Sequence, residues 1–210
     1  MNAISTRLVA ISGAYFVGTA FAGSAGPDRS RVGLLLIASG LAALLVFLAF
    51  LHRRLSHDDG VRSGWPAMTT GCGLIFVALQ ASELGYFGVV FQHSATGPSA
   101  DLLADLTEAT FVASTLFFGL FVLSAAAGTQ VQRVLPAWLT WPGVAIGALT
   151  VAAGALGVLT LDSYLPIPYV TGLAWTAVVS VVLTVRSGRD EGRPTPPLVD
   201  AHPAQVTSAT

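Results

Sequence analysis

Residues 65–91 read WPAMTTGCGLIFVALQASELGYFGVVF, a long apolar run interrupted by one acid, Glu83. A hydrocarbon core of about 30 Å needs about 20 apolar residues at 1.5 Å of helical rise each, so this run is long enough to cross a bilayer. Glu83 is the acid that sits inside a hydrophobic segment; the other charged residues lie between or beyond such segments. An ionisable group at membrane depth costs about 2.5–3.5 kcal/mol on insertion scales, and it therefore calls for a partner or a task.

Working outward, further apolar runs fall near residues 8–24, 33–51, 109–127, 138–160 and 165–185. With the central run they predict an all-α, polytopic transmembrane helix bundle of six spans over residues 1–185. The composition agrees: 53% of the 210 residues are hydrophobic, and 10% are charged against the roughly 25% usual for a soluble domain. The mean hydropathy is +0.72. After Val185 the sequence becomes RSGRDEGRPTPPLVDAHPAQVTSAT, too polar and proline-rich to bury apolar surface, so 186–210 is expected to be a disordered cytoplasmic tail. The first run, LVAISGAYFVGTAFAG, also reads as a signal sequence with a cleavage site at Ala20-Phe21-Ala22, which would leave five spans.

Arginine carries all of the positive charge outside histidine, and its distribution orients the chain, because short cytoplasmic loops are enriched in it. With the N-terminus inside, Arg7, Arg53, Arg54, Arg62, Arg133, Arg186, Arg189 and Arg193 are cytoplasmic and only Arg29 and Arg31 are outside. Both termini are then inside, and the loop 92–108, which has no arginine, faces out. Ser99 is expected to cap the fourth helix, which starts near residue 100. Asp101, Asp105 and Glu108 share one face of it as a solvated acidic stripe, favoured at a helix N-terminus, and no metal is assigned.

Several residue patterns concern packing. Gly143, Gly147, Thr150, Gly154 and Gly157 form a small-residue stripe that lets helix backbones approach closely, and they are read as internal packing. Trp138 and Trp141, with Tyr164 and Tyr169 at the other side, fit interfacial aromatic belts. Pro142 is placed in the first turn of the fifth helix, where its missing N–H does little harm. Pro166 and Pro168 start the sixth in the same way.

The stretch 134–147, VLPAWLTWPGVAIG, followed by a last span ending SVVLTVRSGR, resembles a pattern in an uncharacterised family of actinobacterial multipass membrane proteins, in which a short cytoplasmic loop leads into Leu-Pro-x-Trp-Leu-x-Trp. Leu135, Pro136, Trp138, Leu139, Trp141 and Gly143 carry the likeness, over roughly the last third of the chain. It implies about six spans and a bacterial plasma membrane location, and it brings no activity, cofactor or site residue.

Chemistry is sparse. The HExxH, GxSxG and GxxxxGK[ST] motifs are absent, and the single Cys72 excludes an intrachain disulfide and CxxC-type redox or zinc chemistry. His52, His57, His93 and His202 are spread over both sides of the membrane and suit neither a catalytic triad nor haem. No basic stripe with interleaved aromatics points to nucleic acid. What remains is a polar site in the outer half of the membrane: Glu83, with Gln80 one turn below, and Thr110, Ser114, Thr115, Tyr169, Thr171, Trp175 and Tyr15 at matching depth. With no cation assigned to that depth, Glu83 is expected to be largely neutral and to donate a hydrogen bond. The catalytic residues are not identifiable and no cofactor is implied. Three functions fit. A structural or regulatory membrane partner uses Glu83 to tie helices together and needs no pocket. A small-molecule carrier or binding protein needs a water-reachable cavity around Glu83. An intramembrane cyclase or isomerase on a lipophilic substrate needs a closed apolar cavity with Glu83 as general acid. The corresponding partners are the lipid bilayer with a membrane protein or a small lipophilic molecule.

Overall fold

The computed structural model describes residues 3–24, 31–56, 64–93, 98–160 and 166–190. Six helices account for the regular structure of these residues: α1 (Ala3–Ser24), α2 (Arg31–Leu55), α3 (Trp65–His93), α4 (Pro98–Val131), α5 (Ala137–Leu159) and α6 (Ile167–Asp190). Five of them are long and apolar enough to cross a membrane. The apolar part of α1, Arg7–Gly23, is shorter, about 25 Å at helical rise. The chain is a membrane-spanning helical bundle. The expected tail begins as a continuation of α6 to Asp190; residues 191–210, with Arg193 and His202, lie outside the described residues, as do Arg29, Arg62, His57 and Tyr164.

Each helix packs on the next, and α1 also packs on α6, so the six close into a ring, with α4 reaching across it to α6. Neighbours run antiparallel. Between α1 and α2, Gly13 faces Phe47 while Gly23 faces Gly33. Between α3 and α4, Phe76 meets Phe118 and Gln80 meets Ser114. Between α4 and α5, Gly147 faces Leu123 and Gly154 faces Leu116. Between α5 and α6, the Thr150 hydroxyl shares its one proton between the Ile146 carbonyl of its own helix at 2.8 Å and the Pro168 carbonyl at 3.0 Å. Lipid tails are as apolar as leucine, so these contacts hold through close packing and interhelical hydrogen bonds rather than through exclusion of water.

Glycine makes the closest crossings. A Cβ built on Gly147 or Gly154 would stand 2.6 Å and 2.7 Å from the backbone nitrogens of Leu123 and Leu116, and one on Gly119 would stand 2.6 Å from that of Val151. Trp175 fills the space over Gly143 and donates its indole N–H to the Leu139 carbonyl at 2.9 Å, tying α6 to α5. The ring is closed by Ser180 on α6, whose hydroxyl donates to the Ala10 carbonyl and accepts from the Ala14 N–H of α1 at 3.1 Å. Ala10, Phe16 and Val17 of α1 belong to the buried core. Cleavage after Ala22 would strip these core contacts from the bundle.

Arg7, Arg53, Arg54, Arg133 and Arg186 lie at the end of the bundle where α1, α3 and α5 begin. That end is tightly tied: His52 Nδ1 lies 3.0 Å from Thr70 Oγ1, the Gln132 amide donates to the Leu55 carbonyl, and Arg186 donates to the Val134 carbonyl at 2.7 Å. Trp138 and Trp141 project there from α5, both more than half exposed.

Three local expectations are corrected. Pro142 is the sixth residue of α5, in its second turn, and its nitrogen cannot donate to the Trp138 carbonyl. Pro98 itself opens α4, where the missing N–H costs nothing, so Ser99 lies within the first turn instead of capping it. Tyr169 is turned into the ring against Phe111 and Phe118, not out into an interfacial belt.

Candidate functional site

Gln80, Glu83, Leu84 and Phe87 recur on α3 at i, i+3, i+4 and i+7, one face of the helix, and that face turns towards the ring axis. There it meets a cavity of about 300 Å³ at the end of the bundle opposite the arginines. Ala20, Phe21 and Gly23 of α1, Leu34 and Ile37 of α2 and Phe111 of α4 complete its wall with Pro166, Tyr169, Val170 and Leu173 at the start of α6. Five helices contribute; α5, with Gly143, Gly147 and Gly154, does not.

The floor is aromatic. Phe76 meets Phe16 edge-on at 6.2 Å between ring centroids and Phe118 at 5.0 Å; Phe118 in turn meets Tyr169 at 5.2 Å, and Tyr169 meets Phe111 at 5.4 Å. These separations are those of favourable ring pairs. Beneath them the core is filled by Phe47, Leu48, Leu51, Phe121 and Val122, all nearly or fully buried. The cavity is therefore cut off from the arginine-rich end.

The polar groups have a defined sense. The Ser114 hydroxyl donates to the Phe111 carbonyl at 2.7 Å, so towards Gln80 it can act only as acceptor. The Gln80 Nε2 donates to it at 2.8 Å. This fixes the orientation of the amide, whose second N–H and Oε1 remain as a donor and an acceptor. Glu83, a turn further along, is half-buried with its Oε2 shut off from solvent. Tyr169 supplies a hydroxyl that can donate or accept. Arg31, the first residue of α2, lies one turn before the lining residue Leu34, about 4.5 Å along the axis. A cation therefore stands nearer this site than the loop-by-loop reading of the arginines allowed.

Of the residues expected at this site, Glu83, Gln80 and Tyr169 line the cavity, and Ser114 supports Gln80 from behind. Thr110 donates to the Leu106 carbonyl of its own helix at 2.6 Å and does not line the cavity. Tyr15 is half exposed on the outer surface, its hydroxyl 3.2 Å from Ser39 Oγ. Because Ser39 donates to the Leu36 carbonyl, Tyr15 is the donor in that pair. Thr171 is exposed and bonds the Pro168 carbonyl; Thr115 is buried and bonds that of Phe111. Trp175 belongs to the α5 contact. Depth alone could not separate these residues, because depth does not say which way a side chain faces. The apolar wall had no signal of its own, except that Leu84 and Phe87 follow from Glu83 by helical spacing. Asp101, Asp105 and Glu108 are exposed, and no group of His, Cys, Asp and Glu among the described residues is arranged to hold a metal ion.

No protein-family model, curated protein or solved structure matches this chain.

Proposed function

We propose that the chain is a membrane-embedded binding protein for a small lipophilic molecule, which it holds in the cavity beside Glu83. The observation that carries this reading is the cavity itself: about 300 Å³, walled by aromatic and aliphatic side chains, with Glu83, Gln80 and Tyr169 as its polar groups. That is the lower end of the usual size for small-molecule sites, and it has their usual make-up of apolar wall and few polar groups. A purely structural role for Glu83 calls for no such space. The arginine bias supports an orientation with the cavity on the outer side, and the likeness of 134–147 to actinobacterial multipass proteins supports a bacterial plasma membrane.

Ala20 lines the cavity and is partly buried, so Ala20→Phe should fill the space from one side. The wild type, extracted in mild detergent and examined by native mass spectrometry, should carry a small-molecule adduct that the folded variant lacks. Equal adducts, or none on either protein, would defeat the reading.

A further inference from the structure

We infer that the arginine end of the bundle carries a binding site for one anionic phospholipid. Its phosphate sits between Arg133 and Arg186, and its acyl chains run along the outer face of α5 past Trp138 and Trp141. The site is separate from the cavity and does not depend on what the cavity holds.

The turn between α4 and α5 brings the two cations together. The Arg133 N–H donates to the Gln130 carbonyl at 3.1 Å and the Val134 N–H to the Thr129 carbonyl at 2.9 Å, a closure in which Arg133 takes a left-handed φ of 53°. Glycine ordinarily fills that position at a helix end. From α6, Arg186 reaches over and donates its Nη1 N–H to the carbonyl of Val134, the residue next to Arg133, at 2.7 Å. That bond uses one of the five N–H donors of the guanidinium, which leaves its Nε–Nη2 edge for a second acceptor. Both arginines are exposed. A planar fork held by a carbonyl, beside a second cation, suits the paired oxygens of a phosphate.

Charge and depth name the partner. Among the described residues, Glu83, Asp101, Asp105 and Glu108 are at the opposite end of the bundle, and Asp190 stands a full turn beyond Arg186 on α6, about 6 Å along its axis. An anion from outside the chain therefore meets two cations at one turn, which is how basic groups at a membrane surface select anionic lipid. Trp138 and Trp141, at i and i+3, are mostly exposed, and such aromatics sit at the boundary between head groups and acyl chains. Arg133, five residues before Trp138, is then level with the head groups. Beyond the tryptophans the same exposed face continues as Ala145, Ala148 and Ala152, small side chains over which an acyl chain can lie.

The test uses the full chain in nanodiscs made of phosphatidylcholine and phosphatidylglycerol in equal parts. Native mass spectrometry of the released protein reads the ratio of phosphatidylglycerol to phosphatidylcholine adducts. The wild type should retain one phosphatidylglycerol with a preference of about tenfold. Arg133→Gly removes a cation and gives the left-handed position the residue that suits it, so this variant should resist dodecyl sulfate at least as well as the wild type and still lose most of the preference. Arg186→Gln should lose it too. Arg53→Gln removes an exposed charge from the same end, on α2, whose neighbours in the ring are α1 and α3, and should leave the preference within about twofold. Ala20→Phe, which fills the cavity, should keep the adduct. No preference in the wild type, or an unchanged preference in Arg133→Gly, would overturn the site. An equal loss in Arg53→Gln would reduce the effect to general attraction, and loss in Ala20→Phe would move the lipid to the cavity; either result overturns it as well. Displacement of the adduct by millimolar glycerol 3-phosphate would make a soluble phosphate the ligand and overturn the phospholipid.

Discussion

Adding one methyl group at Gly147 should destabilise this bundle, although the same change at Gly71 should stabilise it. A Cβ at 147 would stand 2.6 Å from the nitrogen, 2.7 Å from the Cα and 2.8 Å from the Cβ of Leu123. Non-bonded carbons rest at about 3.5–4.0 Å, so α4 and α5 would have to part by about 1 Å. The atoms in the way are mainly backbone, which cannot rotate aside. Gly119 and Gly154 sit in the same interface at 2.6 Å and 2.7 Å, so the separation would also loosen their contacts. Overpacking of this kind costs about 1–3 kcal/mol, against a helix-propensity gain of about 1 kcal/mol for replacing glycine by alanine. A net loss of up to about 2 kcal/mol is expected for Gly147→Ala, and more for Gly147→Leu. Nothing lies within 4 Å of a Cβ on Gly71, which should keep only the propensity gain, about 0.5–1 kcal/mol. Unfolding both variants by sodium dodecyl sulfate titration from a mild detergent, followed by circular dichroism, measures the difference. If Gly147→Ala is as stable as Gly71→Ala, the close approach of α4 and α5 is wrong.

Two further outcomes are expected. Reporter fusions at residues 60, 98, 130 and 195 should read inside, outside, inside and inside; a cytoplasmic signal at 98 would reverse the proposed orientation and put the cavity on the inner side. Trp175→Phe should lose about 1–2 kcal/mol, from the bond to Leu139 and the unfilled space over Gly143, whereas Trp141→Phe, at a position 62% exposed, should change little in the same titration.

The helices were legible because hydrophobic length is a one-dimensional property: each apolar run appears as a helix with ends within a few residues of those expected, and α4 starts at Pro98, ahead of its apolar core and close to the residue 100 that its start signal gave. Their neighbours were not, since nothing in the run 8–24 says that it meets 167–190. Ser180 reads as one more small polar residue until Ala10 and Ala14 are beside it. At the site, Glu83 stood out because a carboxyl in an apolar run is costly, and Gln80 followed by spacing. Tyr15 and Thr110 were drawn in by depth, yet Tyr15 faces outward to Ser39 and Thr110 bonds its own helix. The cavity was illegible, because a void is made by what five helices fail to fill.

The joint between α1 and α6 sets a condition on how the protein can be made. Its hydrogen bonds link residues 166 and 170 positions apart, so the first helix in the membrane cannot find its second neighbour until nearly the last is synthesised. At about 5–20 residues per second, α1 waits on the order of ten seconds or more with the rung that Ser180 will cover turned towards lipid or the insertion machinery. By the end of that interval the nascent bundle is an open arc of five helices, and the space beside Glu83 lacks the wall that α6 will supply. Any quality control acting on the half-made protein would meet an acid on an unfinished surface, and the arrival of α6 both closes the ring and removes that signal.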